Sequence, residues 1–114
     1  MDDYSLIRAT VRGLLDELDL EVCGEAENGK EAIEKVKHLR PELVILDLQM
    51  PVMNGIEAAL QIKEISPSTK IIFFTVHDFP GAARQTMLLG ADAFVTKSAS
   101  AGELANAVKR VLGN

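Results

Sequence analysis

The stretch from Pro41 to Gly55, PELVILDLQMPVMNG, constrains the rest of the chain more than any other. Leu43, Val44, Ile45 and Leu46 form an uninterrupted apolar run directly after Pro41 and Glu42. A run of that length with such flanks fits a strand buried on both faces, and strands of that kind lie inside parallel sheets. Asp47 follows where the chain must leave the sheet, and Met50-Pro51 and Asn54-Gly55 are turn signals. The run therefore lifts one carboxylate to the carboxyl edge of a strand, where open α/β sheets place their sites. Taken alone, Asp47 is more often a helix cap or a turn-forming Asx residue than a site. Its meaning depends on partners elsewhere in the chain.

The pattern around this stretch alternates between helix and strand. Ile7, Val11, Leu14, Leu15 and Leu18 share one face of a first helix from Ser5, with Ser5 or Asp3 as its cap. Glu21 to Ala26, with Val22 and Cys23, is a short strand candidate. Asn28-Gly29 then opens a second helix carrying Ala32, Ile33, Val36 and Leu39. Ile56, Ala59, Leu60 and Ile65 give a third helix that Ser66-Pro67 stops. Lys70 to Val76 holds Ile71, Ile72, Phe73 and Phe74, a second buried strand that finishes in a polar residue, Thr75. A weakly amphipathic helix follows from Pro80 to Gly90. Ala93, Phe94 and Val95 make a strand ending at Thr96 and Lys97, and Leu104, Ala107, Val108, Val111 and Leu112 face the core from a last helix. The expected order is one helix followed by four strand-helix units, a doubly wound parallel sheet covered on both faces.

With 114 residues, 47% of them hydrophobic and 25% charged, the chain has the size and composition of one globular domain spanning 1–114. No apolar segment is long enough to span a bilayer and nothing resembles a signal peptide, so the expected compartment is the cytoplasm. Cys23 stands alone and cannot close an internal disulfide; within its apolar stretch it reads as a small buried hydrophobe. A formal net charge of −5 with scattered Lys and Arg argues against direct nucleic-acid binding.

In a parallel sheet all strand carboxyl ends share one edge, so Asp2 and Asp3 before the first helix, Asp47, Thr75 and Lys97 are expected in one cleft. Oxygen ligands from Asp3 and Asp47 suit Mg²⁺, which keeps waters and phosphate oxygens in its shell. Asp47 then serves as a nucleophile that forms an acyl phosphate. Lys97 and the metal neutralise the transferring group while Thr75 supplies a hydroxyl. Each residue also has a plainer reading: solvated acids at a chain start, a β-forming Thr, a surface Lys.

These residues resemble the motifs of response-regulator receiver domains, the flavodoxin-like phosphoacceptor modules of bacterial two-component signalling. Asp2-Asp3-Tyr4-Ser5-Leu6-Ile7-Arg8 resembles the family's acidic pair and first helix, and Asp47 through Gly55 its phosphorylation segment. Thr75 is similar to the switch hydroxyl, Phe94 to the switch aromatic and Lys97 to the family's lysine. The resemblance implies Mg²⁺ held by Asp3, Asp47 and the Gln49 backbone carbonyl, with Asp2 acting through water. It implies a sensor histidine kinase as phosphoryl donor and a regulatory domain, not an enzyme. The surface of the fourth helix, last strand and last helix then changes to control an output, transcription by a DNA-binding helix-turn-helix domain being the expected one. Lys97-Ser98 matches the style of that subfamily.

Two departures set further expectations. Receivers begin with a hydrophobic strand that lies mid-sheet, between the strand around Val22 and the one ending at Asp47, whereas Met1 alone precedes Asp2 here. Its absence leaves buried backbone groups unpaired at about 1 to 3 kcal/mol each. A chain start placed downstream of that strand is the favoured origin, and association of two copies by strand exchange or edge pairing is the expected compensation. No output domain follows Asn114, which fits an excised receiver or a single-domain regulator. Two other functions compete. An interaction module that dimerises without phosphorylation is favoured by the missing strand, and an aspartate-nucleophile phosphohydrolase is disfavoured because Gln49 stands where its second Asp belongs.

Overall fold

A computed structural model describes residues 5–22, 24–26, 28–47, 55–75, 81–88, 90–96 and 101–113. The elements run α1 (Ser5–Glu17), α2 (Gly29–Leu39), β1 (Leu43–Leu46), α3 (Gly55–Ile65), β2 (Lys70–Thr75), α4 (Ala82–Leu88), β3 (Ala93–Thr96) and α5 (Ala101–Val111). The three strands form one parallel sheet in the order β1-β2-β3. Leu46 stands level with Phe73, and Phe73 with Phe94.

Alternation along the strands divides the core in two. Val44, Leu46, Ile71 and Phe73 face Ile33 and Val36 of α2 and Ala59 and Ile62 of α3. Ile45, Ile72, Ala93 and Val95 face Leu104, Ala107 and Val108 of α5, with Val11, Leu14, Leu15 and Leu18 of α1 packed against them. Helices on both faces explain why β1 and β2 read as continuous apolar runs and not as alternating ones.

Local chemistry sets the boundaries. The Asn28 side chain accepts the Glu31 N–H at 2.9 Å and so caps α2, while Arg40, at φ 46°, ends it by donating its backbone N–H to the Val36 carbonyl. Between α3 and β2, Ser66 Oγ donates to Thr69 Oγ1 at 2.8 Å and Thr69 in turn donates to the Pro41 carbonyl at 2.8 Å. This ties the turn to the entrance of β1. Asp92 Oδ2 accepts the Ile71 N–H at 2.8 Å and lies 3.3 Å from Lys63 Nζ, which latches the start of β3 to that of β2. Gly90, at φ +102°, turns the chain out of α4 with its N–H on the Met87 carbonyl.

Three expectations need correction. Among the described residues Glu21 to Ala26 forms no strand, so three strand-helix units follow α1 and α2 instead of four. A strand exists through its ladder, and this segment has none. The buried face of α3 is Gly55, Ala58, Ala59 and Ile62, spaced i, i+3, i+4, i+7, which leaves Leu60 46% exposed. Leu39 is likewise 45% exposed at the end of α2. No helix among the described residues is long and apolar enough to cross a membrane.

Candidate functional site

The parallel register carries two polar side chains to one edge. Leu46 is the last residue of β1 and is level with Phe73, so Asp47 stands just past the ladder, beside the end of β2 at Thr75. The Thr75 hydroxyl donates to Asp47 Oδ1 at 2.8 Å, and both side chains are buried, at 0% and 4% exposure. A carboxylate this far from water is costly to keep ionised unless donors or a cation hold it, and an O–H to a carboxylate is among the stronger hydrogen bonds. Asp47 is thus a positioned oxygen base, and neither a helix cap nor an exposed turn residue.

On the neighbouring strand, Thr96 stands level with Thr75 and Phe94 level with Phe73. Phe94 is half-buried and packs against the same cluster as Phe73, on the sheet face that carries Ile71 and Leu46. Thr96 is a second hydroxyl at the site's level, where the strand pattern alone gives a strand end. Its signal was its place directly before Lys97 at the end of an apolar strand. Asp2, Asp3, Gln49 and Lys97 lie outside the described residues. Among the described residues no three His, Cys, Asp or Glu side chains converge on a metal position. Asp47 itself fits Mg²⁺ by donor chemistry, since that ion takes hard oxygen ligands such as carboxylates at the edge of a site open to phosphate.

The model of the response regulator receiver domain matches residues 1–109. The chain belongs to that family. It is 32% identical over 115 residues to the response regulator protein VraR of Staphylococcus saprophyticus, covering all of this chain and 55% of that protein. It is 34% identical to the chemotaxis protein CheY of Thermotoga maritima, covering 97% of this chain and 92% of that one. The chain therefore spans about half the length of its VraR relative and nearly all of CheY. Among solved structures, a LuxR-family two-component response regulator from Aurantimonas superposes with a TM-score of 0.92 at 31% identity, over 98% of this chain and 81% of that chain. This receiver has the α/β fold expected from its strand pattern, of the flavodoxin-like kind that the resemblance implies, and its family's role is regulatory, in two-component signalling. The phosphohydrolase reading falls with that assignment.

Proposed function

We propose that residues 1–114 form one receiver domain whose Asp47 accepts a phosphoryl group from the phosphohistidine of a sensor kinase. The observation that carries this reading is the buried 2.8 Å hydrogen bond from Thr75 to Asp47 at adjoining strand ends. A carboxylate oxygen of Asp47 attacks phosphorus, the bond from phosphorus to the donor nitrogen breaks, and the leaving imidazole takes a proton. Burial keeps bulk water from the acyl phosphate, and the Thr75 hydroxyl orients the nucleophile before transfer and is placed to donate to a phosphoryl oxygen afterwards. Asp3, Asp47 and the Gln49 carbonyl would hold Mg²⁺, with Asp2 acting through water; when bound, the ion neutralises charge on the transferring group. Lys97, next in sequence after Thr96, supplies a second cation. The output, in this reading, is a DNA-binding domain of the LuxR kind that the relatives carry.

Intact mass after treatment with acetyl phosphate tests the chemistry. One phosphate is expected per chain with Mg²⁺ and none with chelator. Borohydride, which reduces an aspartyl phosphate to homoserine, should mark Asp47. An adduct on another residue would overturn the assignment.

The same register supports a switch. Thr75 and Phe94 sit on one face of adjacent strands, two residues apart in level. Movement of Thr75 toward a new phosphate vacates volume that the Phe94 ring fills by turning inward, a local charge change biasing a two-state element. The aromatic NMR signals of Phe94 are expected to shift on phosphorylation of the wild type. They should stay in place in phosphorylated Thr75→Val, whose side chain keeps the shape and loses the hydroxyl. Identical shifts in both proteins would uncouple the pair.

A further inference from the structure

Thr96 stands at a corner that any inward turn of Phe94 must pass. β2 and β3 run parallel, with Phe73 level with Phe94 and Thr75 level with Thr96, so the residues of each pair point to the same sheet face. Phe73 and Phe94 share the cluster that faces α2 and α3. Alternation along each strand puts Thr75 and Thr96, two residues further on, on that face as well. Ala93 and Val95 take the opposite face, against α5.

Strand spacing fixes how these side chains stand. Level neighbours on adjacent strands are roughly 5 Å apart, and residues two apart along one strand roughly 7 Å. Phe94 and Thr75 are therefore diagonal neighbours at roughly 8 Å, a span within reach of an aromatic side chain. Thr96 occupies the corner between them, beside Thr75 and next in line after Phe94 on its face. Burial falls off across this corner: Thr75 is fully buried, whereas Phe94 and Thr96 are half-buried on β3.

An aromatic residue on a strand has two common ways to stand, with χ1 at about 180° or about −60°. Turning inward carries the Phe94 ring toward the level of Thr75 and past the side chain at 96. Thr96 is β-branched, so its χ1 is stiff and its two heavy branches do not fold away from an approaching ring. Pushing a ring into filled space is costly, whereas filling a space just vacated is not.

We propose, on the reading that Thr75 and Phe94 form a switch, that Thr96 sets its threshold: level with Thr75 and on the face of Phe94, it keeps the ring outward until Thr75 moves. What acts is the bulk of Thr96, not its hydroxyl. By linkage, a variant that lets the ring turn early binds a phosphoryl mimic more tightly, and one that blocks the ring binds it less tightly. Thr96 is thus a positioning residue that tunes the response without touching the phosphoryl group.

The test uses the whole chain with para-fluorophenylalanine in place of its four phenylalanines, titrated with beryllofluoride, a phosphoryl mimic, in the presence of Mg²⁺ and followed by fluorine NMR. The fluoride resonances of the bound mimic report occupancy. The ring resonance of Phe94, assigned by its loss in Phe94→Leu, reports the turn. In Thr96→Ala without mimic, that resonance is expected roughly a third or more of the way to its bound position in the wild type, and half-saturation should need roughly threefold less mimic. Thr96→Leu should need roughly threefold more, with the ring resonance moving less than in the wild type at equal occupancy. Thr96→Val keeps the shape, loses the hydroxyl and should match the wild type. Wild-type behaviour of both Thr96→Ala and Thr96→Leu would overturn the threshold, as would a Thr96→Val that behaves like Thr96→Ala. A wild type that binds no mimic, or binds it with Phe94 unmoved, would overturn the reading on which the threshold rests, and the threshold with it.

Discussion

Asp47→Asn is expected to leave the fold standing and to abolish phosphoryl uptake. The amide has the shape of the carboxylate, and its Oδ1 can still accept the Thr75 hydroxyl, now 2.8 Å from Asp47. The bond loses its charge assistance, a step from about 1.5–3 to about 0.5–1.5 kcal/mol. Against that loss, a neutral amide is cheaper to bury than a carboxylate at a position 4% exposed. The two changes oppose each other, so urea midpoints should agree with the wild type to within about 1 kcal/mol. The chemistry has no such compensation, because the amide offers no anionic oxygen to attack phosphorus. Asp47→Ala is the contrasting case. It strands the fully buried Thr75 hydroxyl without this acceptor and should cost about 1–3 kcal/mol. A phosphate adduct on Asp47→Asn under the same acetyl phosphate treatment would mean that another residue is the acceptor.

The Asp47–Thr75 pair was legible because two continuous apolar runs each ended in a polar residue, and parallel strands bring such ends to one edge. What the pattern could not give is which neighbours a residue acquires. Leu39 and Leu60 carry the right periodicity for the core, yet each stands exposed: the buried stripe of α3 is set by small residues at Ala58 and Ala59, and Leu39 borders a cavity beside β1. The same holds for Glu21 to Ala26, whose composition suits a strand but whose ladder partner is not among the described strands. The Asp92 latch and the Ser66–Thr69–Pro41 chain were invisible for a different reason. They join residues up to 28 positions apart through side chains that composition alone reads as loop polarity. The acidic pair, Gln49 and Lys97 lie outside the described residues, so their roles rest on the resemblance and on the proposed chemistry.

Phe73→Ala should be the most destabilising single change in the core. Phe73 is 1% exposed and the largest of the fully buried side chains, on the middle strand of the sheet, level with Leu46 on one side and Phe94 on the other. It contributes to the cluster with Val36 of α2 and Ile62 of α3, so truncation opens a void between sheet and two helices. Losses of about 3–5 kcal/mol are typical of such truncations, against a total of roughly 5–15 kcal/mol for a small domain. The midpoint of thermal unfolding should fall by roughly 10 °C or more. Phe74→Ala is the internal control: same strand and same chemistry, but on the opposite face, partly exposed and bordering a cavity beside β1. It should cost clearly less, because part of the ring's surface already meets solvent and the site can relax into existing space. The contrast reaches the functional edge as well, since Phe73 lies two residues before Thr75 on the same strand face and level with the residue before Asp47. Its removal should slow phosphorylation at temperatures where the domain is still folded, whereas Phe74→Ala should not. Equal destabilisation by the two variants in urea titration would mean that the surroundings of Phe74 are as tightly filled as those of Phe73, and would overturn the contrast.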